Sequence, residues 1–161
     1  MQDMGSQEVK LDDLYQEVIL DHNRRPRNFG KLSEANRYSH GVNPLCGDNY
    51  HLYLYVDEGG IIKKVSFEGV GCAISKASAS MLTEAVIGKT VREAEALKDN
   101  VIHVLTDNAV SESARAGAGK LKIFEGVKHF PVRVKCAALS WRALEDALRD
   151  KEERKAEVST E

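Results

Sequence analysis

The sequence is short of the features that mark several common protein classes. It has three cysteines, three prolines and one tryptophan among 161 residues, and only 6% of its residues are aromatic. The C-x-x-C pair that usually marks a zinc ribbon is absent. No stretch approaches the roughly 18 apolar residues of a membrane-spanning helix. An odd cysteine count in a chain of this size argues against a disulfide framework and favours thiolate chemistry or metal binding.

Neither sign of charge is in excess. The chain has 23 basic and 25 acidic residues, which give a formal net charge of −2 and a pI near 6.2. Because the basic residues are spread along the chain without interleaved aromatic residues, nucleic acid is not an expected partner. The first ten residues are polar and include Asp3 and Glu8, unlike a secretion signal. We therefore expect a cytoplasmic protein that does not contact a membrane.

The length and composition predict one core. A chain of 161 residues with 42% hydrophobic content is large enough to fold without staples and too small for two full domains. We predict a flexible N-terminus over residues 1–10, a single domain over residues 11–150, and a charged tail over residues 151–161 that is disordered.

Hydrophobic periodicity and capping signals indicate several helices. The spacing of apolar residues predicts an amphipathic helix over about 12–22, ended by a proline, and a last helix over 137–149. A run of small residues over 73–87, followed by glycine, predicts a closely packed helix. Thr90 and its capping-box partner three residues later begin a short helix through Leu97, which a second short helix follows.

Two β-rich stretches predict a hairpin. Residues 48–56 alternate aliphatic side chains with tyrosines, and residues 61–67 form a second β-rich run after a turn-prone segment. The small and polar stretch over 111–120 fits either a mobile loop or a weak helix, and the sequence does not decide between them.

Three cysteines and one aspartate are the candidate site residues. Three thiolates and one carboxylate make a full tetrahedral set for zinc, or an asymmetric and labile site for iron. We predict that Cys72 and Cys136 lie at helix N-termini, where the helix dipole favours thiolates. Cys46 lies between a proline and a glycine, where the backbone can bend, and Asp48 would add a hard oxygen ligand. The segments are Asn43-Pro44-Leu45-Cys46-Gly47-Asp48, Gly69-Val70-Gly71-Cys72-Ala73 and Arg133-Val134-Lys135-Cys136-Ala137.

Each of these residues also has a simpler interpretation. A lone cysteine is usually a small buried apolar residue, and Asp48 alone would be a turn or strand-start residue. All three cysteines, however, are flanked by glycine, proline or basic residues at predicted element ends. We therefore interpret the four residues as one joint site. Histidines are not expected among its ligands.

The three cysteine segments resemble the motifs of the NifU N-terminal/IscU-like family of iron–sulfur cluster assembly proteins. The resemblance covers about residues 11–148. Within the family the chain is most similar to the SufU branch, because the connection between Cys72 and Cys136 is longer and Lys135 stands where the IscU branch has a histidine. Residues 130–134 depart from the chaperone-binding stretch of the IscU branch, so an Hsp70-type partner is not expected.

The resemblance implies an α+β fold, in which a small antiparallel sheet is covered by helices, and a metal site formed by Cys46, Asp48, Cys72 and Cys136. It implies a zinc-dependent sulfurtransferase that takes persulfide sulfur from a SufS-type cysteine desulfurase and passes it to a SufBCD-type assembly complex. Cys46 would accept the sulfur, and Arg133 would stabilise its charge.

Two alternatives remain open at the level of sequence. In the first, the same four residues are a scaffold on which a [2Fe–2S] cluster is assembled and from which it is transferred, and Asp48 keeps the cluster labile. In the second, zinc only stabilises a protein-binding surface. Lys135 in place of histidine favours sulfur transfer over the scaffold, because it removes a neutral ligand next to the last cysteine.

Overall fold

A computed structural model of the chain describes residues 15–149 and 156–160. Within them, the helix α1 covers 15–24. The other elements, in chain order, are β1 (Arg37–Asn43), β2 (Asp48–Val56), β3 (Ile62–Val70), α2 (Ala73–Val86), α3 (Val91–Thr106), α4 (Glu112–Ala118), a 3-10 segment (Gly119–His129), α5 (Pro131–Ala147) and β4 (Val158–Ser159). None of the helices in the described part is long and apolar enough to cross a membrane.

The four strands form one sheet in the order β3-β2-β1-β4. β2 pairs antiparallel with both β1 and β3, and the short β4 pairs parallel with β1 at the edge. The side chains of β2 alternate as the sequence predicts, since Leu52, Leu54 and Val56 are buried while Tyr53 and Tyr55 are partly exposed. The predicted hairpin and the α+β fold class are therefore confirmed.

The helices α2 and α5 cover the inner face of the sheet and complete the core. Trp141 of α5 is fully buried, and its Nε1–H donates to the Ser78 hydroxyl of α2 at 3.1 Å. The same hydroxyl donates to the backbone carbonyl of Ala137 at 2.7 Å. This pair of hydrogen bonds ties α2 to α5, and so holds the two helices that carry Cys72 and Cys136 together.

Several helix predictions need correction. α3 is one continuous helix rather than two, because its buried residues keep the helical spacing from Ala94 to Leu105 and no breaker interrupts them. The last helix begins at Pro131 and not at 137, since proline is well accommodated in the first turn of a helix. The undecided stretch over 111–120 contains α4, which Ser111 caps by accepting the Ala114 N–H at 3.1 Å.

The predicted chain ends are only partly described. Residues 1–10, expected to be flexible, lie outside the described residues, as do 150–155 and 161. In the tail expected to be disordered, Val158 and Ser159 instead pair with Gly41 and Val42 of β1. For these residues the prediction is wrong, because the unpaired edge of β1 offers backbone partners that composition does not reveal.

An ion pair orders the segment after α4. Arg115 donates to both carboxylate oxygens of Glu125, at 2.8 and 2.9 Å, and Lys128 adds a third contact at 3.2 Å. These hydrogen bonds, with Arg115 the largest cause, lower the pKa of Glu125 to about 2. The bidentate pair therefore joins α4 to the 3-10 segment.

We expect Glu125→Gln to lower the free energy of unfolding by about 0.5–1 kcal/mol at pH 7, because the pair is only partly screened by solvent. Because the pKa of the Glu125 carboxyl is lowered by folding, the charged carboxylate stabilises the fold at a pH above 4.5, the ordinary pKa of the group. This stabilisation is lost as the pH falls from 4.5 toward 2. In urea unfolding, the difference between variant and wild type should narrow over that range. Glu112→Gln is the matched control, since Glu112 contacts the same Arg115 but is 90% exposed. Equal effects of the two variants would contradict the prediction.

Candidate metal site

The turn between β1 and β2 carries Cys46. Residues 44–47 form the turn, and the Cys46 N–H donates to the Asn43 carbonyl at 3.2 Å. Gly47 has a φ of 71°, a left-handed conformation that glycine adopts without strain, and it returns the chain so that Asn43 pairs with Asp48. Cys46 is partly exposed, and the preceding Leu45 is 62% exposed. Cys46 therefore lies on a turn that solvent partly reaches.

Asp48 is buried at the start of β2, on the inner face of the sheet. Its Oδ1 accepts the Cys72 N–H at 2.9 Å and the Ser75 hydroxyl at 3.1 Å. Its Oδ2 accepts the side-chain amide of Asn43 at 3.3 Å. Both carboxylate oxygens therefore have donors, which compensates for the loss of water on burial.

Cys72 caps the N-terminus of α2, as the sequence predicts. Its backbone is extended, and its Sγ accepts the Ser75 N–H at 3.4 Å. The thiol is partly exposed. The sulfur therefore satisfies one of the backbone N–H groups that the first helical turn leaves without an intrahelical partner.

Cys136 lies inside α5 and not at its N-terminus, so that part of the prediction is wrong. The helix begins five residues earlier, and Cys136 is only 1% exposed. Burial, followed by hydrogen bonding with Cys46 and Asp48, raises the pKa of the Cys136 thiol well above its usual range. Without a metal ion this thiol is therefore neutral, because desolvation outweighs any effect of the helix dipole.

Three of the four predicted ligands converge. The Sγ atoms of Cys46 and Cys136 and a carboxylate oxygen of Asp48 all lie within 4.8 Å of one another. Zinc binds sulfur at about 2.3 Å and oxygen at about 2.0 Å, so the ligands of a tetrahedral ion lie about 3.5–4 Å apart. Small side-chain movements would close this group around an ion, and its donor types fit zinc or iron.

Cys72 is not part of this close group, but it lies next to it. Its backbone N–H contacts Asp48, and its sulfur contributes to the raised pKa of Cys136. A four-ligand site therefore requires the Cys72 sulfur to come closer to the other three ligand atoms.

Three residues at the site were not predicted to take part in it. Asn43 is fully buried, and its amide donates to Cys136 Sγ at 3.5 Å as well as to Asp48. The hydroxyls of Tyr50 and Ser75 are 3.0 Å apart, and burial raises the pKa of Tyr50 well above its usual value. The sequence does contain a signal for these residues. Each is a polar residue close to a predicted metal ligand, either on the inward face of a strand or one helical turn away.

Arg133 is exposed, and its guanidinium lies over the ring of Phe130, 4.9 Å from the centroid. This cation–π contact holds Arg133 at the beginning of α5, three residues before Cys136. Its predicted role in stabilising a sulfur anion stays a prediction.

The chain is similar to known proteins along most of its length. The family model of the NifU-like N terminal domain matches residues 14–158. The zinc-dependent sulfurtransferase SufU of Bacillus subtilis is 39% identical over 144 residues, which cover 89% of this chain and 95% of that protein. The iron–sulfur cluster assembly scaffold protein IscU of Streptococcus pyogenes is 39% identical over 140 residues, 87% of this chain and 86% of that protein.

Solved structures share the fold. The crystal structure of an iron–sulfur cluster assembly scaffold protein for the SUF system from Fervidobacterium islandicum has a TM-score of 0.77 and 38% identity, and the match covers 83% of this chain and 95% of that one. The N-terminal part of a nitrogen-fixing NifU-like protein from Brucella abortus has a TM-score of 0.74 and 29% identity, covering 89% and 98% of the two chains.

Proposed function

This chain belongs to the NifU-like N-terminal domain family, and on that premise we propose that it works in iron–sulfur cluster assembly as a zinc-dependent sulfurtransferase. Cys46, Asp48, Cys72 and Cys136 would hold the zinc. A SufS-type cysteine desulfurase would supply persulfide sulfur, and a SufBCD-type assembly complex would receive it. The similarity to a zinc-dependent sulfurtransferase over 89% of the chain supports this proposal.

The difference in exposure between the cysteines carries the proposal. Cys46 is partly exposed on a turn, whereas Cys136 and Asp48 are buried. Cys72 is also partly exposed, but its sulfur is engaged as the N-cap of α2 by the Ser75 N–H. A cysteine that accepts sulfur must be able to contact the persulfide of a partner protein, whereas a cysteine that only binds the metal can be buried. Cys46 is therefore the acceptor in our proposal, and the buried residues hold the site while Cys46 moves.

The reaction is a thiol–disulfide exchange. Bound zinc would keep the coordinating cysteines deprotonated near neutral pH. Once Cys46 is released from the site, its thiolate would be free to attack the terminal sulfur of the donor's persulfide, and a side chain of the desulfurase would take its place as a ligand. The sulfur–sulfur bond of the donor breaks, its electron pair leaves on the donor cysteine, and Cys46 becomes the persulfide. Arg133 would contribute positive charge near this anion.

The surface near the cysteine segments suits a protein partner. Four large apolar side chains that adjoin these segments in sequence are 50–68% exposed: Leu45, Val70, Phe130 and Val132. Exposed apolar residues of this size are common where another protein docks. Their position supports a desulfurase that approaches from the side of Cys46.

A scaffold function is the second candidate, because the similar protein from Streptococcus pyogenes is an iron–sulfur cluster assembly scaffold. The same four residues would then hold a [2Fe–2S] cluster as cargo, with Asp48 as its labile ligand.

Elemental analysis and Cys46→Ala together test the proposal. Protein purified without oxygen or added metal should contain about one zinc per chain and no acid-labile sulfide. With a SufS-type desulfurase and labelled cysteine, the wild type should gain one sulfur atom on Cys46 by peptide mass spectrometry. Cys46→Ala should lose this labelling. The variant should keep its fold, because Asp48 and Cys136 are buried in the core and Cys72 is held as the N-cap of α2.

Two results would contradict the proposal. Labelling of Cys46→Ala at the wild-type rate would remove Cys46 as the acceptor. Iron with an equal amount of sulfide, in place of zinc, would make the protein a scaffold.

A further inference from the structure

We propose that Ser75, supported by Tyr50, is a positioning residue that fixes the Asp48 carboxylate so that Oδ2 faces the metal. This inference rests on the proposed function, because it requires that a metal ion binds at Asp48. One oxygen of Asp48 would bind the ion, and hydrogen bonds would hold the other oxygen away from it.

The two oxygens of Asp48 have different surroundings. Oδ1 accepts two donors from the beginning of α2, the Cys72 N–H at 2.9 Å and the Ser75 hydroxyl at 3.1 Å. Oδ2 has one longer contact, with the Asn43 amide at 3.3 Å. That amide also lies 3.5 Å from Cys136 Sγ, so Oδ2 is on the side of the Cys136 sulfur. Oδ2 is therefore the oxygen that an ion can reach.

Tyr50 is placed to direct the Ser75 proton toward Asp48. The phenol is buried, and the Ser75 hydroxyl at 3.0 Å is its hydrogen-bond partner. When Tyr50 donates to Ser75, the Ser75 proton is free for an acceptor of its own. The Cys72 carbonyl lies 3.0 Å from the Ser75 hydroxyl but already accepts the Lys76 N–H of the helix, and the Cys72 sulfur lies farther away, at 3.6 Å. The Asp48 carboxylate is the stronger acceptor, so the chain of donors runs from Tyr50 through Ser75 to Asp48.

The packing around these atoms leaves them little freedom. A side-chain carbon at Gly71 would lie 2.4 Å from the Tyr50 hydroxyl, 2.5 Å from the Ser75 hydroxyl and 2.6 Å from Asp48 Oδ1. The three polar atoms therefore pack against the backbone of Gly71, where no side chain would fit. Ser75 is only 1% exposed, so solvent does not reach the hydroxyl in the folded protein.

Removing the Ser75 hydroxyl should therefore free the carboxylate to rotate. In Ser75→Ala, Oδ1 keeps one donor, and the Tyr50 phenol loses its partner. Outer partners of metal ligands typically contribute about 10–100-fold in metal affinity. We expect Ser75→Ala to weaken zinc binding by an amount in that range, and Tyr50→Phe, which keeps the Ser75 hydroxyl, to have a smaller effect.

The experiment uses metal-free full-length protein and two probes. Zinc affinity is measured by competition with a chromophoric chelator, and cobalt(II) is added separately because its visible absorption reports the ligand geometry. Ser66→Ala and Tyr53→Phe are the matched controls. The buried Ser66 hydroxyl has no hydrogen-bond partner among the residues that the structure describes, and the Tyr53 hydroxyl contacts Glu68.

The expected result is weaker zinc binding and a changed cobalt spectrum in Ser75→Ala, with neither change in the controls. Wild-type affinity and an unchanged spectrum in Ser75→Ala would overturn the inference, as would an equal loss in Ser66→Ala. If the wild type itself bound neither metal, the proposed function would fail first and this inference with it. Urea unfolding of the metal-free variants separates a general loss of stability from the change at the site.

Discussion

Gly71→Ala is expected to weaken metal binding strongly while the protein remains folded. A Cβ atom at this position would lie 2.4–2.6 Å from three polar atoms, those of Tyr50, Ser75 and Asp48. Real Cβ contacts are not this short, so at least one of the three groups has to move. Tyr50 is held in the core, and therefore the Asp48 carboxylate and the Ser75 rotamer are the groups that give way.

The expected size of the effect follows from what is displaced. Loss of one outer partner costs about 10–100-fold in affinity, and here a ligand and its partner move together, so the loss should reach at least the upper end of that range. Overpacking should also cost about 1–3 kcal/mol of stability. Chelator competition gives the affinity, and circular dichroism with urea gives the stability.

Gly126→Ala is the matched control for this substitution. A side-chain carbon at Gly126 meets no atom within 4 Å among the described residues, and Gly126 is not one of the glycines with positive φ. Its metal affinity should equal that of the wild type. If Gly71→Ala also bound zinc as tightly as the wild type, the close approach of these groups would not matter for the site.

Trp141→Ala should cause the largest loss of stability, about 3–5 kcal/mol. Trp141 is fully buried, and its Nε1–H donates one of the two hydrogen bonds through which Ser78 joins α2 to α5. Truncation to alanine would leave a cavity at the junction of the two helices. A domain is stable by only about 5–15 kcal/mol, so this is a large fraction of the total.

The loss should be measured by circular dichroism in urea, because Trp141 is the only tryptophan in the sequence and its fluorescence disappears with it. Trp141→Phe fills most of the volume and should cost about 1–2 kcal/mol through the lost hydrogen bond. Ser140→Ala is the control, since the buried hydroxyl of Ser140 has no hydrogen-bond partner in the described part of the chain. A difference of less than about 0.5 kcal/mol between Trp141→Ala and Ser140→Ala would contradict the argument.

The predictable parts of the fold are those whose own side chains show periodicity. β2 and α2 were predicted almost to the residue, because β2 alternates buried and exposed side chains and a glycine follows α2. β1 was missed because its inward residues are Ser39, Gly41 and Asn43, which give no apolar alternation. Their burial depends on α5, a partner that is distant in sequence.

The candidate site divides in the same way. The cysteines and Asp48 stand out as residue types with metal chemistry, so sequence alone proposes them. The first turn of α5 lacks the apolar spacing of its later turns, which is why Cys136 was placed at a helix end. Asn43 and Ser75 act only through contacts between β1, β2 and α2, and those contacts exist only once the chain has folded.

The parallel pairing of β4 with β1 has a consequence for how molecules of this protein meet one another. The unpaired backbone groups of an open strand edge can pair with a strand of another molecule, and sheet proteins avoid aggregation by covering such edges. Val158 and Ser159 cover β1 next to Gly41 and Val42, and the Thr160 N–H donates to the Val42 carbonyl at 3.2 Å. Asn43, at the entrance to the Cys46 turn, is the next residue. The few residues of β4 thus shield the strand that leads to the Cys46 turn from intermolecular strand addition.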